Sequence, residues 1–130
     1  MSIPEPPDTL DDPKHYLDEA KTVWLGNAEA RHRLYPKTFA IPPRSERDGL
    51  GRGNIAQVLF KSAPRADGLD GERLWCVVTG RTADGRYEGR INNIPNWLPL
   101  RCDQFVVFGP ENILKVHAEV LPESRIPKGN

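Results

Sequence analysis

The residues able to do chemistry in this chain are few and scattered. His15, His32 and His117 stand far apart. They fall into none of the HxxxH, HExxH or Cys/His spacings by which side chains converge on a metal. Cys76 and Cys102 make neither a CxxC pair nor part of a spaced set. Two reduced thiols packed as small apolar groups are expected, with a bridge open only if their strands adjoin. Nucleophilic catalysis needs a Ser, Thr or Cys beside a base, and no GxSxG turn or comparable signature occurs. The run Gly49-Leu50-Gly51-Arg52-Gly53 has the glycine content of a phosphate cradle. Such cradles sit between a strand and a helix whose amides receive the anion, with a lysine and a hydroxyl following. Here a strand pattern follows and the lysine is missing, so the run reads as a tight turn. The expectation is a non-enzyme with no cofactor and no metal.

Contact chemistry is better represented. Trp97 lies in Asn92-Asn93-Ile94-Pro95-Asn96-Trp97-Leu98-Pro99, a loop stiffened by two prolines. A large aromatic in a stiff loop loses little entropy on binding, which makes an interface anchor. A tryptophan folded back to plug one end of a barrel fits the same residues. Charge is unevenly placed as well. Glu5, Asp8, Asp11, Asp12, Asp18 and Glu19 outweigh Lys14 near the start, whereas Arg31, Arg33, Lys37, Arg44, Arg47 and Arg52 outnumber Glu46 and Asp48 later. The acidic stretch, Asp18 and Glu19 above all, is a candidate docking face for a cationic partner, aided by electrostatic steering. Solvated surface is the plainer account of the same charges.

These groups must be positioned by one small domain. At 130 residues the chain buries a single modest core, roughly two-thirds of its unfolded surface. Eighteen Lys plus Arg balance eighteen Asp plus Glu, with no basic excess for phosphate backbones, which disfavours nucleic acid. The opening residues lack a cationic start and an apolar run, and no stretch approaches the ~18 apolar residues of a membrane span. A cytoplasmic protein, monomeric or a small homo-oligomer, is expected.

Residues 1–11, with Pro4, Pro6 and Pro7, read as a mobile arm. From Asp12, with Pro13 at the first helical position, Tyr16, Leu17, Ala20, Val23 and Trp24 recur at helical steps. Gly26-Asn27 either stops this helix or kinks it before residues 28–34 continue to Pro36. Ser45 can cap a single turn through Asp48.

Five strands follow. Residues 55–60 are apolar on both faces and read as central; residues 74–79 are the strongest strand. Asp84-Gly85 then turns the chain into a return strand over 86–92. There Tyr87, Gly89 and Ile91 alternate with Arg86, Glu88 and Arg90, as in an outer strand with one wet face. Residues 104–108 and 113–120 complete the set. Residues 122–130 read as a flexible tail, leaving 12–121 as one α+β domain. Its architecture is an N-terminal helix, whole or interrupted, packed on a strongly bent antiparallel sheet or small open barrel of about five strands.

Several segments taken together carry a resemblance: Tyr35-Pro36-Lys37-Thr38-Phe39-Ala40-Ile41-Pro42, residues 50–60, Glu72-Arg73-Leu74-Trp75-Cys76-Val77-Val78, Gly85-Arg86-Tyr87-Glu88-Gly89-Arg90-Ile91-Asn92-Asn93-Ile94-Pro95, and Phe108-Gly109-Pro110-Glu111-Asn112-Ile113. Over about residues 35–117 the chain resembles a group of small bacterial domains, several of them predicted immunity proteins of polymorphic toxin systems. Gly53-Asn54 and Cys102-Asp103 stand where that group has Gly-Asp turns. The resemblance implies a non-enzymatic protein that binds a cognate toxin and blocks it, and it supplies no catalytic residue. The candidate partner contacts are Trp97, Tyr87, Asp18 and Glu19. The alternative is a small-barrel module that takes single-stranded nucleic acid or a peptide through Arg86, Tyr87 and Arg90.

Overall fold

The computed structural model describes residues 10, 11 and 15–128. Of the mobile arm expected over residues 1–11, residues 1–9 lie outside that range, as does the Asp12-Pro13 helix start; Asp11, by contrast, is held by bonds from Trp24, Asn27 and Arg31. Six strands form one antiparallel sheet: β1 (Val23–Leu25), β2 (Asn54–Ser62), β3 (Gly71–Arg81), β4 (Tyr87–Ile91), β5 (Phe105–Phe108) and β6 (Ile113–Val120). Two short helices, α1 (Ala28–Leu34) and α2 (Arg44–Asp48), precede β2. The sheet runs β1-β2-β3-β4-β5, with β6 also paired to β2. β3 covers one edge of β2 from Ile55 to Lys61. The opposite edge is divided, β6 pairing with the Asn54–Val58 part and β1 with the Phe60–Ser62 part. The sheet curls into a half-barrel, and with α1 and α2 the fold is α+β.

β2 is central because both its faces are apolar. Ala56, Val58 and Phe60 point into the half-barrel, where they meet Leu74, Ile113 and Phe108. Ile55 and Leu59 point outwards and are covered separately. Leu59 and Leu114 lie under Ala28 of α1, with Phe39 and Ile41 against them. Ile55 and Val77 lie under Ile126. Residues 122–128 are therefore more than the tail expected of them. Glu123–Arg125 make a 3₁₀ turn, Ile126 is buried, and the Leu121 amide donates to the Gly53 carbonyl at 2.9 Å. Gly53 permits this approach. It sits at φ 94°, and a Cβ there would stand 2.7 Å from the Leu121 carbonyl oxygen.

The helix expected from Asp12, stopped or kinked at Gly26-Asn27 and continuing over residues 28–34, is corrected in its first part. The second part exists as α1, capped by the Asn27 side chain, which accepts from the Ala30 amide. Of the first part, residues 15–22 are turns and bends and residues 23–25 are β1. The Asp18 carboxylate accepts from the amides of Thr22 (2.8 Å) and Val23 (2.9 Å), a local bond that competes with helix formation, and Lys21 takes φ 58°. Val23 and Trp24 then gain a sheet edge on β2. Gly26 makes that edge accessible, because a Cβ there would lie 2.7 Å from the Leu59 side chain. β4 is also corrected: it lies between β3 and β5, so its alternation records the concave and convex faces of a curled sheet and no outer position.

Candidate functional site

The two ends of the sheet, β1 and β5, do not meet. The seam between them is stitched at two points. At one, the Leu17 amide donates to the Val23 carbonyl (2.9 Å) while Gln104 Nε2 donates to the Leu17 carbonyl (3.2 Å). At the other, the buried Asn112 donates through Nδ2 to the Gly26 carbonyl (2.9 Å) and accepts from the Gly109 amide (2.9 Å). Between these stitches lies a cleft of about 610 Å³, lined by Leu17, Trp24 and Leu25 on one bank and by Val107, Asp84 and Glu111 on the other.

Strand register fixes which backbone groups face this cleft. The Ile91 amide donates to the Gln104 carbonyl (3.0 Å), so Gln104, Val106 and Phe108 direct their polar groups to β4. Successive residues of a strand alternate. The N–H and C=O of Phe105 and Val107 thus face the seam. On β1 the Val23 amide and carbonyl are taken by Asp18 and Leu17, and the Gly26 amide donates to Leu59. Trp24 therefore faces β2, and the N–H and C=O of Leu25 face the seam. Among the described residues neither Leu25 nor Val107 has a hydrogen bond on that side.

The ionisable groups around the seam are committed to architecture. The Asp11 carboxylate accepts from Trp24 Nε1 (2.9 Å), the Asn27 amide (2.7 Å) and both terminal nitrogens of Arg31 (2.6 and 3.1 Å). Burial opposes its charged form, but the bonds from Arg31, Asn27 and Trp24 outweigh that and hold its carboxyl below the usual value. Arg86 pairs with Glu111 at 2.9 Å and donates to Asn112 Oδ1 at 3.3 Å. Asp84, on the exposed β3–β4 turn, accepts from the Thr82 hydroxyl, a bond that lowers its pKa. No family model, curated protein or solved structure matches this chain.

The sequence-predicted contacts do not share one surface. Tyr87 is fully buried inside the half-barrel, so its expected role as a partner contact is corrected. Its hydroxyl donates to the Arg47 carbonyl (2.6 Å) and accepts from the Leu50 amide (3.2 Å), and Arg81 stacks on its ring at 4.6 Å. Arg86 lies at the seam. Arg90 lies at the far end of β4, bonded to the carbonyls of Asp103 and Lys128. Arg86, Tyr87 and Arg90 therefore form no common platform for nucleic acid. Asp18 spends its carboxylate on Thr22 and Val23, and Glu19 is exposed.

Trp97 is half-buried and packs on the interior cluster that holds Leu98 and Leu100; the Arg65 guanidinium covers it at 4.8 Å. Its loop is pinned by the buried Glu72, whose carboxylate accepts from the amides of Asn96 (2.7 Å), Trp97 (2.9 Å) and Leu98 (2.7 Å). Ile94, at 80% exposure, is the most exposed large apolar side chain described.

The remaining chemical candidates are structural. Gly51 and Gly53 belong to the turn into β2. His32 Nδ1 bonds the Phe39 carbonyl, and both cysteines are free, Cys76 in the core. His117 stacks edge-on against Trp75 at 5.6 Å and lines a smaller convex-face groove of about 470 Å³ with Glu119 and Arg125. Sequence reasoning missed Leu25, Val107, Asp11 and Glu72. Val107 was visible as strand, but its free edge depends on where the sheet stops curling. Asp11 and Glu72 act on backbone brought in from distant sequence.

Proposed function

We propose that this chain is a non-enzymatic binding protein of the immunity type, which neutralises a cognate bacterial toxin in the cytoplasm by direct contact. The observation that supports this reading is the seam. A cleft of about 610 Å³ is bordered by two strands, and the carboxylates of Asp11 and Glu111 that line it are tied to Arg31 and Arg86. Such a surface suits recognition, where rigid, pre-positioned groups limit the entropy lost on binding. The acidic residues that line it, Asp84 and Glu111, suit a cationic partner approached under electrostatic steering.

The experiment is a pull-down with the product of the adjacent gene, followed by growth rescue. The neighbour expressed alone is expected to arrest growth, and co-expression of this chain to restore it through a complex that survives gel filtration. A harmless neighbour, or rescue without a complex, would overturn the reading.

A further inference from the structure

We propose that the convex face of β6, β2 and β3 binds single-stranded nucleic acid, with a base against Trp75 and phosphates on Arg73, Lys115 and Arg125. The inference goes beyond the toxin-binding reading and uses none of its residues.

Three observations carry it. The first is placement. Ala56, Val58, Leu74, Cys76 and Ile91 belong to the interior, so Gln57, Trp75 and Asn92 turn outwards. Gln57 is the register partner of Lys115 on one side and of Trp75 on the other, and the Asn92 amide donates to the Trp75 carbonyl at 2.7 Å. Lys115, Gln57, Trp75 and Asn92 thus stand side by side in one row across the sheet. Arg73 shares the face on one side of that row, opposite Leu59. Arg125 stands on the other side, where its neighbour Ile126 covers Ile55 and Val77, and it lines the groove of about 470 Å³ together with Trp75 and Asn92.

The second is unspent charge. Arg73, Lys115 and Arg125 are exposed, and among the described residues none has an ion pair or a side-chain hydrogen bond. Of the carboxylates nearby, Asp70 is held by Lys61 at 2.7 Å and Glu72 is buried under the amides of the Trp97 loop. Glu119 remains in the groove lining, one carboxylate against three cations. The neutral total of the chain averages this face with acidic ones elsewhere. An excess of unpaired cations selects a phosphate-bearing ligand. Arg73 and Val77 lie about 13 Å apart along β3, so phosphates on both sides of the ring meet these cations without drawing them across it. A strand of nucleotides supplies that spacing.

The third is the ring between them. Trp75 is half-buried, packs on the Ile55, Val77 and Ile126 cluster and meets His117 edge-on at 5.6 Å. An aromatic ring fixed at the surface and flanked by cations is the platform on which bases of any sequence stack.

The test is an NMR titration of the ¹⁵N-labelled chain with the oligonucleotide (dT)₈ at low salt, beside thymidine monophosphate and the peptide (Glu)₈. The Trp75 indole signal and the amides of Gln57 and Lys115 are expected to shift with (dT)₈, at least tenfold more tightly than with either comparison ligand. Three phosphate contacts on a single strand predict a log–log salt slope of about −2, a loss of about fifteenfold between about 50 and 200 mM salt. Arg73→Gln and Lys115→Gln, at exposed positions, are each expected to keep a dispersed spectrum, weaken binding about fivefold and lower the slope by about 0.7. Trp75→Leu is expected to lose about tenfold; should it unfold, the two charge variants and the salt slope decide. Equal binding of (Glu)₈ would overturn the proposal in favour of an acidic protein partner, and equal binding of the mononucleotide would overturn the strand. A flat salt response, or shifts confined to other surfaces, would overturn it outright. Capture of (dT)₈ beside a harmless neighbour would defeat only the immunity reading; a toxin neutralised by a chain that ignores (dT)₈ would defeat only this one.

Discussion

Replacing Glu72 by glutamine tests whether the Trp97 loop is held by charge. The Glu72 carboxylate is buried and receives three amides, Asn96 on one oxygen and Trp97 and Leu98 on the other. Glutamine keeps the shape but has one acceptor oxygen. Its best orientation retains Trp97 and Leu98 and turns an NH₂ towards the Asn96 amide, donor against donor. A hydrogen bond to a charged group contributes about 1.5–3 kcal/mol, and a buried donor left unpaired costs about 1–3 kcal/mol. The loop is partly wet at Asn96, which favours the lower end, so a net loss of about 2–3 kcal/mol is expected. At this chain length each kcal/mol shifts the midpoint by roughly 3–5 °C, giving a Tm lowered by about 10 °C. Thermal denaturation at pH 7 measures this, and hydrogen exchange locates it, with the amides of residues 96–98 losing protection before those of β2 and β3. A Glu72→Gln chain that melts within about 2 °C of the original, with those amides still protected, would refute the reasoning.

Two further outcomes follow from the same packing. Trp97→Ala removes a half-buried ring packed on the interior cluster, and a loss of about 2 kcal/mol is expected; an unchanged Tm would mean that the ring contributes nothing to the core. Asp11→Asn leaves Arg31 without its carboxylate and is expected to cost about 2–4 kcal/mol at pH 7. Because the folded pKa of Asp11 lies below its ordinary value of 3.8, the advantage of the original chain is full above that value and fades as pH falls through the folded pKa. Urea midpoints of the two chains should converge in acid, and a constant gap down to about pH 2 would contradict the assignment.

Periodicity carried the sheet well. β6 begins and ends at the residues expected, and β2 is central for the reason its two apolar faces gave. Where the reading of residues 12–24 went wrong, a helical spacing of Tyr16, Leu17, Ala20, Val23 and Trp24 coincided with a strand of three residues. A strand that short leaves almost no period of its own; Asp18, Lys21 and Gly26 decide it through a side-chain turn, a left-handed residue and a close approach. The alternation in β4 correctly placed Tyr87 and Ile91 on a packed face, which already argued against Tyr87 as a contact. The seam was illegible because it is a property of closure: nothing in residues 105–108 records whether another strand lies beyond them.

The placement of the two cysteines has a practical consequence. Cys76 is wholly enclosed, and burial pushes its thiol far above the ordinary value, whereas Cys102 is exposed beside the bulge where Ile91 meets Asp103 and Gln104. A maleimide dye reacts with thiolate, so the native chain should take up one label under folded conditions and a second only on denaturation. That gives a single-site fluorophore at the entrance to β5 without engineering, and an unfolding gauge counted in dye per chain.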